Sequence, residues 1–460
     1  TGYERFIPYL LGESDGIAKS AEWASEISEV PAETIRTLAR QMASQRTMIS
    51  VSWSLTRQDH GEQPFWAAIM LASMLGQIGL PGGGFGFGYS ATNYIGGDFS
   101  VLPITALPQA KNVIKSFIPV ARISDMLLHP GERFDFDGVE YEYPDTKLIY
   151  WAGGNPFHHH QDINRMMLAW QKPETIIVNE WCWNPLAKHA DIVLPCTTPL
   201  ERQDIAMTPR DPYIVSMSKL TEPYKEARND YEIFRGIARE MGAEDLFTEG
   251  RDQEEWQRWI YDETRRSSAA KKIYIPEYDS FRKEGWFKVD PPNKPVVMLK
   301  DFRDDPINNP LATPSGKIEI FSQTVAGFGY DDCPGHPVWL EPNEWLGSAT
   351  SRYPIHLICN QPKTKLHSQL DHGSHSQTEK ILGRQPIHLN HIDAEARGLQ
   401  NRDIVRVFNY RGACLAGVVI DDDLRQGVAL MSTGAWYDPL RPSEKKSLCK
   451  HGNPNVLTPD

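Results

Sequence analysis

The sequence predicts Rossmann-like α/β layers followed by a C-terminal β-barrel, and three observations carry the prediction. The apolar runs KLIYWA, ETIIVNEW and ADIVLP each end in a turn-prone or polar cluster, and a helix-spaced segment separates the first two; this is the pattern of a βαβ unit. Beyond about residue 350 the runs YPIHLIC, DIVRVFN, ACLAGVVI and GVALMS alternate with the turns NRD, NYRG and DDDLRQG, which is hairpin-like spacing. A length of 460 residues gives room for a large core divided among two or three domains. We expect part of an α/β domain over 1–103, a second α/β domain over 104–345, and the barrel over 350–460.

Taken in order, the first block opens with a helix near Pro31 (PAETIRTLARQMA), then a strand in RTMISVSWS and the polar loop TRQDHGEQ. FWAAIMLASMLGQIGL, from Phe65 to Leu80, is the longest apolar stretch and reads as a buried helix. It is short of the ~20 residues that a bilayer span requires, so no transmembrane segment is expected in the chain. The Gly-rich LPGGGFGFGY has the glycines of a phosphate loop but no helix after it, which favours a backbone-packing loop. In the second block, WAGGNPFHHHQDINRM reads as strand end, turn and helix, with Ile163, Met166, Met167 and Trp170 on one helical face. Its three histidines fall at the carboxyl end of a strand, where ligands bind in open parallel sheets because free N–H groups and a helix N-terminus converge there. A solvated cap is the other reading of the tract, and three adjacent loop residues do not aim at one zinc ion without strain. Between about 245 and 345, GRDQEEW, YIPEYDSF and DPPNKP suggest irregular surface structure.

Composition narrows the function. A formal charge of −12 with no cluster of Lys and Arg argues against a nucleic-acid partner. The six cysteines are scattered with no CxxC pair, so neither a disulfide framework nor a zinc or iron–sulfur motif is written, and the redox compartment stays open. A nicotinamide-dependent Rossmann enzyme needs GxGxxG between strand and helix, and none is found.

In order along the chain, WSLTRQDHGEQPFWA, MLGQIGLPGGGFGFGY, WAGGNPFHHHQDINRM, HADIVLPCTTPLERQD, EARNDYEIF, KLHSQL and HGNPNVLTPD resemble the molybdopterin oxidoreductases of the dimethyl sulfoxide reductase family. The likeness is greatest to its biotin sulfoxide, dimethyl sulfoxide and trimethylamine N-oxide reductases. The resemblance implies a bis-molybdopterin guanine dinucleotide cofactor with molybdenum, a guanine dinucleotide held by 104–345, and a barrel of the molybdopterin dinucleotide-binding type. It also implies reduction of a small-molecule S- or N-oxide by oxygen-atom transfer, with electrons from a donor such as a cytochrome or small redox protein. It covers the later part of such an enzyme. The Ser that ligates molybdenum in these reductases belongs to the earlier part, so no metal ligand is assigned, and a catalytically inert cofactor-binding fragment is the alternative. The compartment stays open between the bacterial periplasm and the cytoplasm, with the resemblance leaning to the periplasm.

Residue by residue, the resemblance implies that Asn155 and His159 of its NPFxHH motif contact the cofactor. It puts Asn179 and Glu180 where the nucleoside is held, Arg202 near the dinucleotide, and Asp230 as the carboxylate that reads guanine. Gln203 departs from the ERND of many relatives. Each of these six follows a strand candidate or its loop, so we expect them to rim one crevice. Trp53 and Ser54 match pterin-facing positions, with Ser54 where relatives commonly have Gly. Arg57 matches the metal pocket, where a guanidinium polarises an S=O or N=O oxygen. In the barrel, Asn360, Gln361, Lys365, His367, Ser368, Gln369, Gly452 and Asn453 match the strands that close over the pterins, with Lys365 in place of a frequent Arg, a point charge for a bidentate fork.

Overall fold

The computed structural model of the chain describes residues 1–89, 91, 93, 95–96, 100–109, 111–209, 211–290, 296–350 and 352–460. In the first block, helix α1 (Ala32–Ser44) has Pro31 at its N-cap. Strand β1 (Met48–Val51) pairs in parallel with β2 (Gly84–Phe87). A 3-10 turn over Trp53–Arg57 and helix α2 (Glu62–Met74) connect them. Two expectations are corrected here. The helix expected over Phe65–Leu80 stops at Met74, because Gly76 and Gly79 take φ of +66° and +83°, a region glycine enters without steric cost. At Gly79 a Cβ would come within 2.8 Å of the Leu299 carbonyl oxygen. Nor is that helix buried all round, since Met70 and Ala72 are buried while Met74 is 50% exposed. The Gly-rich run, in turn, is half strand: Gly84 and Gly86 occupy the buried positions of β2.

The βαβ prediction holds. Strands β3 (Leu148–Ala152), β4 (Thr175–Glu180) and β5 (Ile192–Pro195) pair in parallel in that order. Helices α3 (Pro156–His159) and α4 (Ile163–Ala169) cross from β3 to β4, and α5 (Pro185–Lys188) from β4 to β5. Successive strand residues point to opposite faces, and β3 shows where each helix lies. Trp151 meets Trp170, just past α4. Tyr150 meets Phe234 of α6 (Asp230–Glu240) on the other side. Phe157 stacks on His189, which follows α5, with ring centroids 4.6 Å apart. So α3, α4 and α5 cover one face, and α6 the other.

The segment 245–345 is more regular than expected. It contains α7 (Gln253–Ala270), opened by a capping box between Asp252 and Glu255, with Trp256, Tyr261, Thr264 and Ser268 buried along one helical face. Its charged outer face masked that stripe. Residues 291–295 of DPPNKP lie outside the described residues. Residues 303–338 pack back on the first block. Arg303 donates to the Gly76 and Ile78 carbonyls, and the Gln63 side chain bonds the backbone of Asp332 and Val338.

The barrel strands β6 (His356–Ile358), β7 (Pro386–Leu389), β8 (Ile404–Phe408), β9 (Ala413–Ile420) and β10 (Val428–Met431) form one sheet in the order β6-β10-β7-β9-β8. The β8–β9 hairpin is as expected. Strand β7 had no sequence signal of its own: it lies between β9 and β10, parallel to the first and antiparallel to the second. The sheet is therefore mixed, not a run of hairpins. A single hydrophobic core runs through both layers, joining Phe157, Ile163, Met166 and Leu186 to Ile387, Cys414, Met431 and Val456. Among the described residues no helix is long and apolar enough to cross a membrane.

Candidate functional site

The site begins where β3 ends. Gly153 and Gly154 take φ of +79° and +75°, and nothing lies within 4 Å of where a Cβ at Gly153 would sit, so the strand end is open. Asn155 then caps α3: its Oδ1 accepts from the Phe157 N–H at 3.0 Å, and Pro156 opens the helix, both standard entry chemistry. Asn155 is 6% exposed, yet its Nδ2 is buried without a partner. A buried amide donor left unpaired is costly, and this one keeps a donor unspent beside the open strand end.

The three histidines diverge. His158 lies parallel to the Trp436 indole, ring centroids 5.8 Å apart, with its Nε2 also buried and unpartnered. Burial, helped by the neighbouring His159, pushes its pKa down to about 3, so the ring is neutral. His159 is exposed and its ring centroid is 6.4 Å from that of His367. His160 is buried, which lowers its pKa.

The expected single crevice resolves into two groups at the carboxyl ends of the strands. On the α6 face, Tyr150 donates its hydroxyl to Asn179 Oδ1 at 2.8 Å, and Asn179 Nδ2 donates to Asp230 Oδ1 at 2.9 Å. Asp230 Oδ2 has no partner among the described residues. Arg202 lies along the same path: it donates to the Thr197 carbonyl at 2.8 Å and to Asp204 at 3.3 Å, while the Thr197 hydroxyl bonds Asn229, next to Asp230. On the α3–α5 face stand Asn155, His159 and Glu180. Glu180 follows Asn179 in β4 and so points the other way. Its carboxylate accepts from the Trp181 N–H and from Asn184 Nδ2 at 2.5 Å, and burial raises its pKa. One residue of offset in a strand thus turns two neighbours to opposite faces, while Asp230 stays near enough to Glu180 to add to the rise of its pKa.

In the barrel, Asn360 Oδ1 accepts from the Ser432 hydroxyl at 2.7 Å. Gln361 and Gln369 are exposed, as is His367, which has a φ of +51°. Ser368 is buried, and its carbonyl accepts from Trp436 Nε1 at 2.8 Å. Gly452, at φ +87°, is enclosed so tightly that a Cβ would lie 2.8 Å from the Leu415 oxygen. Asn453 is 2% exposed and bonded at both ends of its amide, with Nδ2 donating to the Phe157 carbonyl and Oδ1 accepting from Asn455 N–H. Lys365, which stands in place of a frequent Arg, is ion-paired: its ammonium is 3.0 Å from Asp371 and its side chain is 2% exposed. In the first block, Trp53 is 54% exposed with its ring beside Phe87, and the Ser54 hydroxyl bonds that of Ser52. Arg57 is exposed and bonds none of the described residues.

Sequence reasoning missed Tyr150, Asp371, Lys380 and Trp436. Asp371 lies just four residues beyond His367 and was within reach of the KLHSQL stretch; the others are assembled by contacts between distant segments and leave no local pattern. Together the donor set comprises an unpaired amide, a neutral imidazole, a half-used carboxylate and a guanidinium at open strand ends. It suits a ligand with polar heterocycle edges and phosphates.

Comparison with known proteins agrees. Residues 29–240 match the molybdopterin oxidoreductase family model, and residues 355–460 match the molybdopterin dinucleotide binding domain. Across its whole length the chain is 45% identical to the dimethyl sulfoxide/trimethylamine N-oxide reductase of Cereibacter sphaeroides. It is 46% identical to the trimethylamine-N-oxide reductase of Haemophilus influenzae and 46% to the biotin sulfoxide reductase of Cereibacter sphaeroides. It spans 58%, 58% and 61% of those three proteins. Among solved structures, acetylene hydratase from Pelobacter acetylenicus shares the fold, with a TM-score of 0.52 at 19% identity over 69% of this chain and 41% of that one. The two matched domains identify the cofactor as a bis-molybdopterin guanine dinucleotide with molybdenum. With both domains matched over most of its length, the chain belongs to the molybdopterin oxidoreductases, and these relatives, to which it is similar, are dimethyl sulfoxide, trimethylamine N-oxide and biotin sulfoxide reductases.

Proposed function

We propose that the enzyme containing this chain reduces small S- or N-oxides, taking electrons from a cytochrome or small redox protein in the bacterial periplasm. The observation that carries the reading is the unspent bonding capacity at the strand ends, above all the buried, unpaired Nδ2 of Asn155. When bound, the molybdenum cofactor supplies two-electron oxygen-atom-transfer chemistry, and the protein supplies binding and orientation. Asp230, oriented by Asn179 and Tyr150, accepts from the guanine edge, and Arg202 faces phosphate. Asn155 and His159 contact the dinucleotide on the opposite face, with Glu180 ordering the loop after β4 through Asn184. Asn360, Gln361, His367, Ser368, Gln369 and Gly452 border the pterins from the barrel, while Asn453 holds the barrel to α3. Trp53 and Ser54 lie beside the pterin. Arg57 stabilises negative charge that grows on the oxide oxygen, as a preorganised cation does.

The test is turnover with reduced viologen as donor and dimethyl sulfoxide, trimethylamine N-oxide or biotin sulfoxide as acceptor, using the enzyme of which this chain is part. Reduction of at least one oxide, lost when molybdenum is withheld during growth, is expected. Turnover of none of them by fully loaded enzyme overturns the reading.

A further inference from the structure

The barrel holds a second polar centre with an imbalance of charge. A cavity of about 370 Å³ is lined by Asp371, His372, Gln377, Lys380, Trp436 and His451. The Lys380 ammonium lies 2.7 Å from Asp371 Oδ1 and the Lys365 ammonium 3.0 Å from the same oxygen. The three side chains are 2–4% exposed. Asp371 Oδ2 is already taken by the Trp436 backbone N–H at 3.0 Å. A lysine ammonium carries three donors, yet among the described residues each of these two has Asp371 as its one ion-pair partner, and Asp371 Oδ1, though close to both, is buried without a hydrogen bond. The next charged groups do not redress the balance: Asp438 is itself engaged by Lys450 at 3.0 Å and faces His451 at 3.3 Å. Two buried cations therefore share one anion beside an open volume. A buried charge is stable when paired and costly when not, and strong ammonium bonds go to carboxylates and phosphates.

We propose that this cavity is a subsite for one anionic oxygen group, a phosphate or a carboxylate, bound by Lys380 with Lys365 behind it. The Trp436 indole and the His372 ring, 4.8 Å apart, form its aromatic wall, and Asp371 holds the two ammonium groups together. One source of that chemistry is a phosphate of the dinucleotide. The other is the carboxylate of an acidic S-oxide, which rests on the oxide-reductase reading.

Lys380→Met, made in the enzyme carrying this chain, removes the binding cation and leaves Asp371 paired with Lys365; Lys380→Gln serves if that variant does not fold, and Lys380→Arg restores the charge. Two measurements that need no turnover separate the sources. Pterin content after purification reads the phosphate, and the calorimetric Kd for biotin sulfoxide against its uncharged methyl ester reads the carboxylate. Losing a bond to a charged group is expected to lower one of them about tenfold. Lost pterin assigns the site to the cofactor. Full pterin with weaker binding of the acid alone assigns it to substrate, and Lys380→Arg recovers either. Unchanged pterin and unchanged Kd in a folded variant overturn the proposal. Because neither readout is an activity, an enzyme that reduces no oxide fails the functional reading without deciding this one.

Discussion

Asn155 and Asn453 are built alike and used differently. Each caps a short helix that opens with proline, and each accepts from the N–H two residues on. At the α/β strand end, Asn155 Nδ2 is left without a partner; in the barrel, Asn453 Nδ2 reaches the Phe157 carbonyl at 3.2 Å. Asp230 and Asp371 differ in another way: each has one oxygen hydrogen-bonded, but Asp371 alone is ion-paired, to Lys365 and Lys380. The α/β strand ends leave part of their bonding capacity unspent. The barrel spends most of its own on itself. The contrast teaches that residue type names the group a position can bind, and the neighbours decide whether that capacity is free.

This contrast can be broken by experiment. Asp371→Ala leaves two buried ammonium groups unpaired and is expected to cost ~3–5 kcal/mol of stability, read by urea denaturation; a loss under about 1 kcal/mol, the range of an exposed ion pair, would show that the cluster is hydrated and loosely held. Asp230→Asn should do the reverse. It weakens guanine dinucleotide retention by ~1.5–3 kcal/mol, the range for bonds to charged groups, and leaves the denaturation midpoint nearly unchanged. Pterin and molybdenum content after purification checks it, and full loading of the variant would remove Asp230 from the site.

The last test concerns the pH dependence of His158, which stands between the two regions against Trp436. Its pKa is about 3 in the fold against an ordinary 6.5, so the unfolded chain takes up a proton that the native state refuses. Stability from this residue is full above pH 6.5 and declines as pH falls toward 3, by up to about 1.4 kcal/mol per unit. His158→Phe should flatten that part of the pH–stability curve. An unchanged slope would mean that the imidazole is solvated.

The βαβ layer was legible because its strands are apolar runs closed by turn residues, with Asn155 just past the end of one and Asn179 near the end of another; Asp230, which follows no such run, was placed by the likeness to relatives. The two-face arrangement was not, although the alternation of Asn179 and Glu180 contains it: the faces become distinct only once Tyr150 and Trp151 are seen against Phe234 and Trp170. In the barrel the likeness to relatives located KLHSQL, but Lys365 is neutralised by Asp371 and shares it with Lys380, a pairing no periodicity announces. Strand β7 escaped for a similar reason. PIHL is too short to alternate visibly, and its register is set by β9 and β10 on either side. Helix α7 is the plainer miss, since a capping box and a buried Trp256, Tyr261 and Thr264 stripe were there to be read.

The core shared by the α/β layer and the barrel also dictates an order of events during synthesis. Asn453 reaches Phe157 across 296 residues of chain, and Val456 and Leu457 pack in the same cluster as Ile163 and Met166. At the ~5–20 residues per second of translation, Phe157 has left the ribosome for roughly 15–60 s before its last partners are made. During that interval the face of α3 and α4 is uncovered and the strand ends above it are open. Contacts of such long sequence separation form late, and a chaperone that holds the nascent chain at this face would find the strand ends accessible before the C-terminal segment packs against α3 and α4.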